Sequence, residues 1–158
     1  MKATRARFLD TNVLLRYLTR DDEAKGKEAL ALLLRVERGE EKVITSSLVV
    51  FETIFTLQRY YKVSRESIRE MLAPIISLRG LILSDKQIIR KALELFTSSN
   101  VSFADSYNVV FMETKKVREI YSWDYDFDKI DGVIRLEPGQ EPAISGGTLH
   151  EESTGYLG

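Results

Sequence analysis

Four acids sit where a carboxylate is costly. Asp10 follows the apolar pair Phe8-Leu9, and Glu52 stands between Val50-Phe51 and Ile54-Phe55. Asp105 follows Phe103-Ala104, and Asp124 follows Tyr121-Ser122-Trp123. An ionised group beside so much apolar surface needs a counter-charge, a hydrogen-bond partner or a metal ion. Singly, each has a simpler explanation. Asp10 reads as a helix cap at a strand-to-helix turn, and Glu52 as a partner of Arg59 or Lys62. Asp105 reads as the partner of Ser102 in a capping box, and Asp124 as a turn residue. Together these explanations weaken. Two carboxylates ~4 Å apart repel by about 4 kcal/mol at an effective dielectric of ~20. Four acids converging on one place need a cation, or some must take up protons. An oxygen-only donor set suits Mg²⁺ or Mn²⁺. Such an ion supports phosphodiester hydrolysis by activating water, orienting the phosphate and neutralising developing charge. Thr11, Asn12 and Ser122 are placed to orient the carboxylates or hold water.

Composition narrows the alternatives. The 158 residues make about one domain. Lys+Arg total 23 against 24 Asp+Glu, a net charge of −1, which excludes a binder of phosphates by bulk positive charge but not a local basic groove. Hydrophobic residues are 44% and charged residues 30%, enough for a packed core. With Cys 0, disulfides, thiolate nucleophiles, zinc–thiolate sites and iron–sulfur clusters are excluded. The one histidine, His150, lies in a Gly- and Pro-rich stretch from 138 to 158 that reads as a flexible tail, a poor place for a preorganised group. The domain is therefore expected over 1–137. No stretch approaches the ~18 apolar residues of a membrane span. The basic start, Met1 to Arg7, leads into a segment broken by Asp10, Asn12 and Arg16, so it is not a signal peptide. A soluble, cytoplasmic protein is expected.

The elements that must position the acids alternate strand and helix. Short strands are expected at 7–9, 43–45, 81–83, 120–122 and 133–136. A helix over 13–18 follows the first, capped by Thr11 or Asn12, and a second spans 22–38, stopped by Gly39. The segment 48–61 is apolar almost all round and long enough to be a helix. Ser64 caps a helix in which Ile68, Met71, Leu72, Ile75 and Ile76 keep helical spacing, with Pro74 expected to kink or split it. Ser84-Asp85-Lys86-Gln87 has capping-box spacing before the helix of Ile88, Ile89, Ala92, Leu93 and Phe96. Ser98-Ser99-Asn100 is a loop, and Ser102 to Asp105 opens the last helix. This alternation implies an α/β protein with a central, mostly parallel sheet and helices on both faces. Ligands in such sheets bind at the carboxyl ends of the strands. Asp10 and Asp124 fall just past strand ends, and Glu52 and Asp105 in the first turns of helices leaving that edge.

The segments Phe8-Leu9-Asp10-Thr11-Asn12-Val13-Leu14-Leu15, Glu52 in a hydrophobic helix, Phe103-Ala104-Asp105 and Ser122-Trp123-Asp124, with Phe127 shortly after, resemble the PIN-domain family, above all its VapC-type toxins of prokaryotic toxin–antitoxin pairs. The resemblance covers roughly residues 6–136. It implies a three-layer α/β/α sandwich and Mg²⁺- or Mn²⁺-dependent cleavage of RNA. Asp10, Glu52 and Asp105 would be the core acids and Asp124 the fourth, with Asp126 and Asp128 close by. Where the family usually has Thr, this chain has Ser122, which keeps the hydroxyl. A cognate antitoxin protein and a homodimer are implied in the same way.

Arg16 and Arg20, one turn apart, and Lys115, Lys116 and Arg118 are candidate contacts for RNA. Tyr17, Tyr107, Trp123 and Tyr125 are candidates for stacking on unpaired bases. Two other carboxylate chemistries fit poorly. A haloacid-dehalogenase-like phosphatase needs a second Asp two positions after Asp10, then Gly; here Asn12 and Val13 stand there. A phospho-receiver domain needs adjacent acids after the first strand. The remaining alternative is a catalytically silent PIN-like scaffold that binds RNA or a protein.

Overall fold

The computed structural model describes residues 5–140. His150 and nearly all of the stretch expected to be a tail lie outside the described residues. The order is β1 (Arg7–Phe8), α1 (Thr11–Thr19), α2 (Glu23–Glu37), β2 (Val43–Ile44), α3 (Ser47–Arg59), α4 (Arg65–Ile76), β3 (Leu81–Ile82), α5 (Lys86–Ser98), α6 (Phe103–Thr114), β4 (Glu119–Tyr121), a 3-10 turn (Tyr125–Lys129) and β5 (Ile134–Leu136). Every strand pair is parallel. β1, β2 and β3 form one sheet in that order, with Phe8 opposite Ile44 and Ile44 opposite Ile82; β4 and β5 form a second.

The core follows from side-chain alternation. Leu9, Val43, Leu81 and Leu83 are buried in one apolar cluster with the inner faces of all six helices, for example Leu14, Val36, Ile54, Ile68, Phe96 and Phe103. The opposite strand positions, Phe8, Ile44 and Ile82, are 60, 42 and 43% exposed. A smaller cluster of Val101, Val109, Phe127 and Ile130 joins α6 to the segment before β5. Arg65 ties the two regions. Its guanidinium lies 4.5 Å over the Phe96 ring and donates to the Phe96 and Val101 carbonyls, which fixes the loop leading to Asp105.

Several local expectations are corrected. α1 begins at Thr11, so Asp10, not Thr11 or Asn12, occupies the cap position, with extended backbone. The Ser84 capping box does not form. Asp85 takes the cap position of α5, makes no capping hydrogen bond, and uses its carboxylate elsewhere. Pro74 does not split α4. It lies in the last turn, exposed to solvent, where its missing donor is least disruptive. Ser46, Ser64 and Ser102 do cap their helices, accepting from Val49 N, Ser67 N and Asp105 N.

Gly80 sits where β3 begins and leaves no room for a side chain. A Cβ there would lie 2.3 Å from the Glu41 carbonyl oxygen and 2.7 Å from that of Val36. Its own N–H donates to Val36 O at 3.0 Å, so neither side can yield. Gly80→Ala is expected to cost about 2–3 kcal/mol, as overpacking against backbone does, read as a lower denaturation midpoint; an unchanged midpoint contradicts the packing described.

At the α1–α2 corner, Tyr61, Arg16 and Thr19 all donate to Asp21, at 2.9, 2.9 and 3.0 Å. Led by the Tyr61 bond, they pull its carboxyl down to about 2. An unfolded aspartate titrates near ~3.9, so this stabilisation is complete above that pH and is lost as the pH falls through the folded value. Acid titration of the circular dichroism signal should therefore show the wild type losing more stability than Asp21→Asn between pH ~4 and ~2. Parallel acid curves would contradict it.

Candidate active site

The strand ends deliver the acids. Leu9 N donates to Ile44 O at 2.8 Å, and the buried Thr45 hydroxyl donates to Leu9 O at 2.9 Å, which locks the chain just before Asp10. Asp10 is exposed, at the first turn of α1, and its side chain makes no capping bond. The next residue, Thr11, is buried to 3% exposure, and its hydroxyl donates to Glu52 Oε2 at 3.0 Å. Glu52 does not pair with Arg59 or Lys62; the bond to Thr11 links α3 to the end of β1. A groove of about 500 Å³ runs from Glu52 along Leu48, Phe51 and Phe55 to Ser102, Phe103 and Ala104. It joins the α3 acid to the residues immediately before Asp105.

On the far side stands a second group. One carboxylate oxygen each from Asp105, Asp124 and Asp126 lies within 4.8 Å of the others. Asp105 is half-buried on α6, where its backbone N–H is capped by Ser102 at 3.1 Å. Asp124 caps the 3-10 turn, accepting from Asp126 N at 2.9 Å, and Ser122 Oγ accepts from Asp124 N at 3.0 Å. The turn and capping roles read for Asp124 and Asp105 are thus real, and they aim the carboxylates at one another. Asp126, the less emphasised acid in the sequence, joins the set and also pairs with Lys129 at 2.7 Å. Asp10 and Glu52 are not part of this three-acid group.

Burial and charge crowding act together on Asp105. Burial is the chief cause that raises its carboxyl above the usual range; Asp124 and Asp126 push the same way, and an interaction with Ser102 opposes them. At 4.8 Å, each unscreened pair of carboxylates repels by about 3 kcal/mol at an effective dielectric of ~20. The donors are carboxylate oxygens throughout, a set that fits a hard divalent cation.

The other candidates separate by their partners. Asn12 and Arg16 line a cavity of about 590 Å³ between α1 and α2, together with Lys25, Glu28 and Arg35. Arg16 is already paired with Asp21 at 2.9 Å. Arg20 is exposed, with left-handed backbone (φ 54°) at the end of α1. Lys115, Lys116 and Arg118 are exposed. Tyr17 packs on the main core. Tyr107 stacks on Phe51 and hydrogen-bonds Asp85, so it is internal. Tyr125 lies under Arg135 at 4.3 Å, and Trp123, next to Asp124, is 70% exposed.

Sequence reasoning gave Asp85 and Tyr107 other roles and missed that, with Ser47, they form a hydrogen-bonded cluster joining α3, α5 and α6. The signal was present: Asp85, like Asp10, closely follows a short apolar strand. It was absorbed into a capping motif.

The family model for the PIN domain matches residues 7–133. The VapC ribonuclease of Aquifex aeolicus is 27% identical over 135 residues, which span 85% of this chain and 98% of that protein. The crystal structure of VapC20 from Mycobacterium tuberculosis, described as a sarcin–ricin loop cleaving toxin, is 20% identical; the match covers 78% of this chain and 93% of that one, with a TM-score of 0.36.

The burial and crowding of Asp105 predict an effect on stability. With its pKa above the unfolded value, Asp105 contributes stability when protonated, at low pH, and loses it as pH rises through the raised value. At neutral pH without divalent ions, Asp105→Asn should therefore melt higher than wild type, by roughly 2–4 °C if relief of the screened repulsion is about 1 kcal/mol. Mn²⁺ should raise the wild-type melting temperature and leave that of the variant nearly unmoved. A lower apo melting temperature for the variant contradicts the crowding.

Proposed function

The chain belongs to the PIN-domain family, whose three-layer α/β/α fold it shares, and on that premise we propose that it is a divalent-metal-dependent endoribonuclease, the toxin of a toxin–antitoxin pair. The observation that carries this reading is the carboxylate set Asp105–Asp124–Asp126, with Glu52, held by Thr11, on the helix α3 that packs against α6. The similarity to a VapC ribonuclease along nearly all of that relative supports the choice of RNA as substrate.

Asp105, Asp124 and Asp126, with Asp10 and Glu52 as further ligands, are the residues assigned to hold Mg²⁺ or Mn²⁺. Bound there, the ion supplies Lewis-acid activation of a water and charge neutralisation at the scissile phosphate. The chain's own residues do the rest. Thr11 orients the Glu52 carboxylate through Oε2, which suits Glu52 to take the proton that the attacking water releases. Ser122 and the Asp126 N–H brace Asp124. Lys129 offsets part of the negative field that a phosphate would otherwise meet. Trp123, exposed beside the acids, offers a face on which an unpaired base stacks.

Partners follow the same reading. Leu48 and Phe55 are 73 and 57% exposed on the α3 groove, an apolar face that supports a homodimer. The cavity between α1 and α2, which opens at Asn12, two residues after Asp10, suits a segment of an antitoxin. No helix among the described residues is long and apolar enough to cross a membrane; the cytoplasm is the proposed place of action.

Incubation with single-stranded RNA and Mn²⁺ tests the function. Cleavage is expected, is abolished by EDTA, and falls roughly a hundredfold or more in Asp10→Asn and in Asp105→Asn, as loss of a charge-stabilising group does. RNA binding without cleavage sinks the nuclease reading and favours the silent scaffold. Cleavage undiminished in both variants shows that these acids do not carry the reaction.

A further inference from the structure

Asp85 occupies the cap position of α5 but does not cap it. Its Oδ2 instead accepts from the Ser47 hydroxyl, at the start of α3, and from the Tyr107 hydroxyl of α6 at 2.6 Å. Its Oδ1 is shut off from solvent with no partner among the described residues. One carboxylate thus gathers three helices at the end of β3. Leaving a cap unmade and a carboxylate oxygen unsatisfied are both unfavourable. A position serving stability alone would satisfy at least one of them.

The two helices it joins are those that carry Glu52 and Asp105. Phe51, immediately before Glu52, packs edge-on against Phe103 at 5.1 Å and Tyr107 at 5.2 Å, the residues two before and two after Asp105. The apolar contact fixes how closely α3 and α6 approach. It does not fix rotation or sliding, because ring contacts are tolerant of both. The hydroxyls of Ser47 and Tyr107, held on a single oxygen, supply the directional restraint that ring packing lacks. No direct hydrogen bond joins Glu52 to Asp105 among the described residues, so their relative placement is delegated to this junction.

We propose that Asp85 is a positioning residue, which through Ser47 and Tyr107 sets α3 against α6 and so holds Glu52 in working register with Asp105. The inference deepens the nuclease reading and rests on it for its kinetic consequences, while its geometric consequence stands apart.

Two measurements test it. In the first, nitroxides are attached at cysteines introduced at the exposed positions Arg59 on α3 and Asn108 on α6; the chain has no native cysteine to interfere. Pulsed electron spin resonance should give a narrow distance distribution in the otherwise wild-type protein. It should broaden in Asp85→Ala and in Tyr107→Phe, and narrow again in Asp85→Asn, which keeps an acceptor oxygen. An unbroadened distribution in folded Asp85→Ala overturns the proposal whether or not the protein cleaves RNA. In the second, Asp85→Ala is expected to lower kcat for RNA cleavage about tenfold or more with little change in KM, the size typical of losing a residue that orients a ligand. Combined with Glu52→Gln it should add little further loss, because both act on the same carboxylate. Fully additive losses overturn it. Absence of cleavage in the wild type falls on the nuclease reading, and the distance measurement then decides the positioning role alone.

Discussion

Holding several carboxylates close together is the constraint on which this molecule turns. Asp105, Asp124 and Asp126 approach within 4.8 Å, and burial first, then the two neighbouring acids, pushes the Asp105 carboxyl above the usual range. Ionised acids in such proximity repel, and water screens them only where they are exposed. The scaffold must therefore hold each one by its own local device. Asp124 is held by a turn that its carboxylate caps, Asp105 by the first turn of a Ser-capped helix, and Glu52 by the buried Thr11 hydroxyl. None of the three depends on another acid for its orientation.

The rest of the architecture serves those devices. The parallel strands are only two or three residues long, yet their backbone bonds place Asp10 at the sheet's carboxyl edge. Arg65 pins the loop before α6, and the small cluster around Phe127 anchors the turn that carries Asp126 to the same helix. Stability is drawn from the apolar cluster behind the sheet, and the acidic end adds strain to it. A division of this kind, rigid core and stressed edge, is common where a site must bind charge.

The groove between α3 and α6 runs from Glu52 to Ala104, the residue before Asp105. Its walls are apolar, and Leu48 and Phe55 leave its rim unusually greasy for a free surface. Phe51 and Phe103 line it, and Phe51 also packs on Tyr107, whose hydroxyl donates to Asp85. The lining of the groove and the register of the two helices are therefore set by connected residues of α3 and α6.

Much of this was legible in the linear chain. Short apolar runs alternating with amphipathic segments specify parallel strands and helices because burial patterns repeat at 2 and 3.6 residues. Acids placed against apolar neighbours, such as Asp10 and Glu52, declare a cost that must be met somewhere. Serine caps at 64 and 102 are local and were readable as such. What sequence does not encode locally is distance in space. That Asp126 joins Asp105, that Glu52 answers to Thr11 and not Arg59, and that Asp85 abandons its own helix for two others, all depend on side chains 21 to 41 positions apart meeting across the fold. Local pattern fixes which residues carry charge and which face inward. Only the packing of whole helices, whose register is decided by many small apolar contacts at once, determines which of those charges meet.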